Sequence, residues 1–376
     1  MRERSTSLTG TAGEAISAIK THGADQISVS RRGFAQLALG ASAFACGAGF
    51  SGVAAAQADY YKGRTIQLIV PFSPGGFYDI ASRIVARHLP DYIEGRPSIV
   101  VQNQPGGGGL SSANRLAGSV PRDGLTIATV SRGIPQLRLV GDPNVSFDPQ
   151  QLTWLGSLSS YTDDGYLLVV NASHAAKTGE DARRGAPLNL GGVGIGATNT
   201  TFALIARDLL GVKANIISGF PGANDVWLAM ERGEIDGQVI DLSAIMAARP
   251  GLWNQGKLRV LVQFARATRL PSLPDVPTAR ELVADPTDRT YLEFAESPFF
   301  MAMPFAAPPE IPADRAQILQ DAFMKMAAAK AFKTEMTEAG MFTSPIDGKA
   351  VHDVITEAAK TPVEARERLG KLLIAR

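Results

Sequence analysis

From Tyr61 onward, apolar runs of strand length alternate with segments whose apolar residues recur every three to four positions. Thr65-Ile66-Gln67-Leu68-Ile69-Val70 is closed by Pro71, and Ile80, Ile84, Val85 and Leu89 then mark one face of a helix. The unit recurs as a strand at 98–101, a helix at 110–116 and a strand at 126–130. Strands expected at 154–157 and 166–170 bracket a polar loop, 159–165. A second series follows: strand 188–192, helix 201–210, strand 214–217, helix 223–232, then strands 237–240 and 258–262. Such alternation calls for parallel or mixed sheets covered by helices, an α/β layer fold. The stretches 312–336 and 349–373 read as mainly helical. Residues 297–309 are apolar but carry Pro304, Pro308 and Pro309, which predicts a packed strand or loop and no membrane helix. A chain of 376 residues is long enough for two compact domains, each burying its own core.

With 37 basic and 36 acidic residues, the chain gives no electrostatic reason to expect nucleic acid or an anionic membrane as partner. One Cys and four His cannot build a multi-Cys zinc site or a disulfide framework. Near the N-terminus, Ser30-Arg31-Arg32-Gly33-Phe34 sets a twin-arginine pair before a mildly apolar run, 34–50. Small residues at Ala56 and Ala58 fit a signal-peptidase groove, so residues 1–58 read as a twin-arginine export signal cleaved near Ala58. Cys46 lies within that segment, and Ala43-Phe44-Ala45 is a poor lipoprotein context. The mature chain then has no cysteine, which suits an oxidising compartment. Removing five basic and three acidic leader residues leaves 32 against 33, a net charge of −1.

Three glycine-rich loops join strands to helices: Pro74-Gly75-Gly76-Phe77-Tyr78-Asp79, Pro105 to Gly109, and Gly191 to Thr200. Glycine lets the backbone approach a ligand closely, and a helix N-terminus offers unpaired N–H groups at the positive end of its dipole. Such loops receive carboxylates or phosphates. None has the Gly-Lys-Ser/Thr of a nucleotide phosphate loop. The acidic residue of a dinucleotide fingerprint is also missing, since 214–218 reads Ala-Asn-Ile-Ile-Ser. No cofactor or metal is expected. With no obvious Lys or Arg in the loops, capture by backbone amides and hydroxyls is predicted, which suits carboxylates. Asp79 has two readings, a helix cap that holds the loop or an acceptor for a ligand hydroxyl or amine. No Gly-x-Ser-x-Gly elbow and no His-Glu-x-x-His occurs. His88, His174 and His352 sit in polar surroundings that suit surface or packing roles.

The stretches IQLIVPFSPGGFYDIASRIVARHL, VVQNQPGGGGLSSANRLA and PRDGLTIATV resemble the substrate-binding proteins of tripartite tricarboxylate transporters, also called Bug receptors. GGVGIGATNTTFALIARDLLG, SGFPGANDVWLAMERGEIDG, RLPSLPDVPTARELV and APPEIPADRAQIL continue the resemblance in order, from about Thr65 to the C-terminus. It implies a type II periplasmic-binding-protein fold: two α/β lobes joined by two crossover strands, with a ligand cleft between. Lobe 1 would be 59–169 plus 263–376, and lobe 2 would be 170–262. It implies a monomeric periplasmic receptor, not an enzyme, that captures a small carboxylate by hinge closure and delivers it to membrane permease subunits. An enzyme on the same scaffold, or a ligand-sensing partner of a membrane kinase, are the alternatives. The implied ligand contacts come from Phe72, Ser73, Gly75, Gly76, Phe77, Tyr78 and Asp79 on one side. Gly196, Ala197, Thr198, Asn199 and Thr200 face them, with Ser131 and Asp241 completing the pocket. Phe77-Tyr78 is bulkier than the small residue and Thr or Ser common in the family. Ser218-Gly219-Phe220-Pro221-Gly222 stands where many members have Tyr-Lys-Gly.

Overall fold

The computed structural model describes residues 60–374, so the expected export signal, Cys46 and the cleavage position lie outside the described residues. Two mixed sheets organise the chain. The first contains β1 (Thr65–Val70), β2 (Ser98–Asn103), β3 (Thr126–Thr129), β4 (Thr153–Ser157), β10 (Pro304–Ala307) and β11 (Ile346–Asp347), in the order β11-β4-β10-β3-β1-β2. The second contains β5 (Tyr166–Asn171), β6 (Leu188–Gly192), β7 (Ala214–Ser218), β8 (Gly237–Asp241) and β9 (Leu258–Phe264), in the order β7-β6-β8-β5-β9. β2, β1 and β3 run parallel, as do β7, β6 and β8. β10 is antiparallel to β3 and β4, and β5 to β8 and β9.

The burial of each strand follows its place in the sheet. Ile66, Leu68, Ile69 and Val70 of the interior strand β1 are fully buried, and each contributes about 1.5–3 kcal/mol by leaving water. The edge strands β2 and β7 are only half-buried, and they are the strands with the more polar sequences, SIVVQN and ANIIS. The segment around Pro304 is the packed strand β10, inserted between β3 and β4. β5 and β9 carry the chain into and out of the second sheet and pair with each other there. The boundaries drawn at 169/170 and 262/263 fall inside these two strands.

Six α-helices go beyond the expected set, among them Ile134–Leu139, Leu242–Ala248 and Pro286–Glu296. The first two are short and buried nearly all round, so no amphipathic period marks them. The third is signalled by Asp285-Pro286: the Asp285 carboxylate accepts from the Thr287 and Asp288 N–H groups, and Pro286 takes the first turn. Among the described residues, no helix is long and apolar enough to cross a membrane.

Candidate functional site

Parallel strands end on the same side of each sheet, and four of these C-terminal ends converge on one cavity of ≈ 60 Å³. β1 leads to Phe72 and to helix α1 (Phe77–His88). β3 leads to Ser131 and Arg132. From the second sheet, β6 leads to Val193 and helix α2 (Thr198–Asp208), and β8 ends on Ile240 and Asp241. Tyr166 opens β5 directly opposite Asp241, which brings its ring into the same wall. Helix α2 begins three residues earlier than the expected Thr201, so Thr198, Asn199 and Thr200 form its first turn. The N-cap residues of α1 and α2 make no side-chain cap, and in α2 only Thr200 N of the first turn is taken, by Asn199 Oδ1, so the leading N–H groups stay available.

The centre of the site is a residue that sequence reasoning passed over. Arg132 follows Ser131, and its side chain is only 3% exposed. Its Nη2 donates to Asp241 Oδ2 at 2.7 Å, its Nε donates to Thr198 Oγ1 at 3.1 Å, and its guanidinium stacks 4.3 Å from the Phe299 ring centroid. The glycine loops bring no basic side chain to the wall, as their sequences read, but the cavity still has one. The cation comes from the end of β3 and not from the glycine loops. Burial works against the Arg132 charge, but the Asp241 carboxylate together with Tyr78 and Tyr166 outweighs it and holds the guanidinium protonated. Burial pushes the phenols of Tyr78, Tyr161 and Tyr166 up, so all three act as neutral hydroxyls.

The polar loop 159–165 belongs to this network. Tyr161 donates from its hydroxyl to Asp241 Oδ1 at 2.9 Å. Asp164 is buried and accepts from the N–H groups of Gly165 (2.8 Å) and Ser243 (3.2 Å) and from the Ser243 hydroxyl. Burial, and next the Asp241 charge, push the Asp164 carboxyl up to about 7.

Of the fourteen residues expected to contact ligand, nine line the cavity. Phe72, Gly76, Phe77, Tyr78 and Ser131 come from the first sheet's side, and Ala197, Thr198, Asn199 and Asp241 from the second's. The other five lie around it. Ser73 donates from Oγ to Asp225 Oδ2 at 2.5 Å, linking the two sheets' loops. Gly75 N donates to Asp79 Oδ2 at 2.9 Å, and Asp79 also accepts from Arg83 Nε and Asn103 Nδ2. Burial alone would raise the Asp79 carboxyl, but these hydrogen bonds outweigh it and hold it low. Of its two readings, holding the loop is the one its contacts serve. Thr200 Oγ1 accepts from Gly194 N at 3.0 Å, which shapes its own loop.

Gly196 takes part in a seam between the sheets. Its N–H donates to Gly107 O at 3.3 Å and its carbonyl accepts from Ser131 Oγ at 2.8 Å. A Cβ on Gly108, whose φ is +67°, would lie 2.5 Å from Ala197 N and 2.7 Å from Gly196 N. The second glycine loop thus meets the third, main chain against main chain, and lies outside the cavity wall. Among the described residues, no cluster of three or more His, Cys, Asp or Glu could hold a metal ion.

Comparison with known proteins fits this geometry. The family described as TctC, tripartite tricarboxylate transporter family receptor, matches residues 82–366. A "UPF0065 protein in gbd 5'region" of Cupriavidus necator is 28% identical over 84% of this chain and 91% of its own length. Protein BugT of Bordetella pertussis is 29% identical over 76% and 84%. Among solved structures, periplasmic binding protein BugD superposes with a TM-score of 0.66 at 18% identity, covering 82% of this chain and 99% of its own. MatC from Rhodopseudomonas palustris, with bound malate, gives 0.63 at 21%, covering 82% and 99%. R. palustris Rpa4515, with adipate, gives 0.64 at 20%, covering 82% and 97%. At these identities the likeness shows the fold, two α/β lobes of the type II periplasmic-binding-protein class.

Proposed function

The chain belongs to the tripartite tricarboxylate transporter receptor family, and from that premise we propose that it is a periplasmic receptor that closes on a small carboxylate and delivers it to membrane permease subunits. The observation that carries the reading is the cavity itself. It draws walls from both sheets, two helix N-termini open onto it, and a buried guanidinium stands beside it. Each charge-assisted hydrogen bond to a carboxylate there contributes about 1.5–3 kcal/mol before losses. A solute touching both sides favours the closed arrangement by the contacts it lacks in the open one. Malate and adipate in the related structures belong to the same chemical class. We assign lobe 1 to the first sheet with its helices and lobe 2 to the second, with β5 and β9 as the crossover strands. Export by the twin-arginine route, with cleavage near Ala58, and action as a monomer complete the proposal.

A thermal-shift screen of the purified protein against small carboxylates and their neutral amides tests it. A rise in melting temperature with an acid, absent for its amide, is expected, because binding to the folded state stabilises it. Catalytic turnover of an acid by the protein, lost on replacing a cavity residue, would replace the receptor by an enzyme.

A further inference from the structure

The charge and size of the cavity narrow the class of solute, and this step rests on the carboxylate-receptor reading above. Arg132 carries one positive charge and Asp241 one negative, 2.7 Å apart and both buried. That pair is neutral before any ligand arrives. Helices α1 and α2, twelve and eleven residues long, each direct an uncapped N-terminus at the cavity. Each supplies about half a positive charge, so the site offers roughly one charge in total. Asn199 gives an independent sign of a ligand. It is only 6% exposed and lines the cavity. Its Oδ1 accepts from Val193 N at 3.2 Å and Thr200 N at 2.8 Å, while its Nδ2 finds no acceptor among the described residues. This donor keeps accessible surface in the cavity wall and is placed to meet an acceptor on the solute. The other polar groups of the wall are already engaged: Tyr78 donates to Ala302 O, Tyr166 shares a hydrogen bond with Thr198, and Ser131 donates to Gly196 O.

We infer that the solute is a monocarboxylate with a short apolar tail, and that di- and tricarboxylates are rejected. One carboxylate balances the two helix ends and accepts from Asn199 Nδ2. A second would be buried beside Asp241, with Asp164 behind it, and Arg132, the basic residue of the described lining, is already paired. The rest of the wall is apolar, formed by Phe72, Phe77, Val193, Ala223, Ile240 and Ala244. At ≈ 60 Å³ the cavity is well below the about 150 Å³ of an apolar site that takes benzene. The tail is therefore a few carbons, branched or straight, and not an aromatic ring.

Titration calorimetry on protein stripped of solute by unfolding and refolding, with native circular dichroism and an intact-mass check, tests the inference. Isobutyrate, isobutyramide, malate and adipate are the probes. Isobutyrate is expected to bind at least tenfold more tightly than malate or adipate, and isobutyramide not to bind. Malate or adipate binding as tightly as isobutyrate would overturn the inference and leave the carboxylate receptor standing. No binding by any of the three acids would overturn both. Asn199→Asp keeps the Oδ1 contacts and replaces the free donor with a second oxygen. A tenfold or greater loss of isobutyrate affinity with an unchanged melting temperature is expected, and unchanged affinity would remove the donor on which the inference stands.

Discussion

Two of the contacts between the sheets differ in physical kind. At the glycine seam, residues 107–108 lie against 194–197 through main-chain atoms alone, and the fit depends on the absence of Cβ atoms. Beside the cavity, Arg132, Asp241, Tyr161 and Asp164 form a network of buried charged and polar side chains. The seam depends on shape, and is insensitive to pH and salt. The network depends on charge compensation, and one proton can change its balance. The difference teaches that contact between the two sheets has a steric requirement and an electrostatic one, and the two can be broken separately.

The largest effect is expected on the electrostatic side. Arg132→Met strands the buried Asp241 carboxylate, and the loss should be about 3–5 kcal/mol in urea unfolding. Adding Asp241→Asn should recover much of it, and a double mutant no more stable than the single would show that the pair is not the source. Next comes the steric side. Gly108→Val combines a left-handed backbone with contacts far inside van der Waals distance. It should cost about 2–5 kcal/mol and abolish solute binding in calorimetry. Gly76→Ala is the contrast: its Cβ would meet nothing nearer than Ser73 O at 3.9 Å, so the fold should survive. The smallest effect separates the two kinds of contact by pH. Asp164 binds its proton more tightly folded (about 7) than unfolded (3.8), so its contribution is full below about pH 4 and is lost as pH rises through 7. Stability should fall by about 3 kcal/mol between pH 5 and pH 8, and Asp164→Asn should flatten that slope while Gly108→Val leaves it in place.

Much of this was legible because local chemistry and tertiary structure agree. The β1 run is apolar, bounded by Pro71 and followed by a helical period, and it folds as that pattern says. The loop Phe72–Asp79 and the turn Ala197–Thr200 could be named because glycine beside a helix start has a local meaning. Arg132 could not be found in that way. Nothing near it in sequence marks it as buried, and its partner Asp241 lies 109 residues away. The roles of Tyr161 and Asp164 were hidden for the same reason, since a polar loop reads as surface until another strand end covers it. The second glycine loop misled in the opposite direction. Its composition matches that of a ligand loop, and only the facing main chain at 194–197 assigns it to the seam.

The seam also bears on how such a receptor changes over generations. A contact built from backbone atoms survives replacement of the residues around the cavity, provided a few glycines stay. Substitutions at Phe77, Val193, Ala223 or Ala244 can reshape the chamber for another solute while the two lobes keep the same place to meet. Recognition can drift while the contact between the lobes is kept.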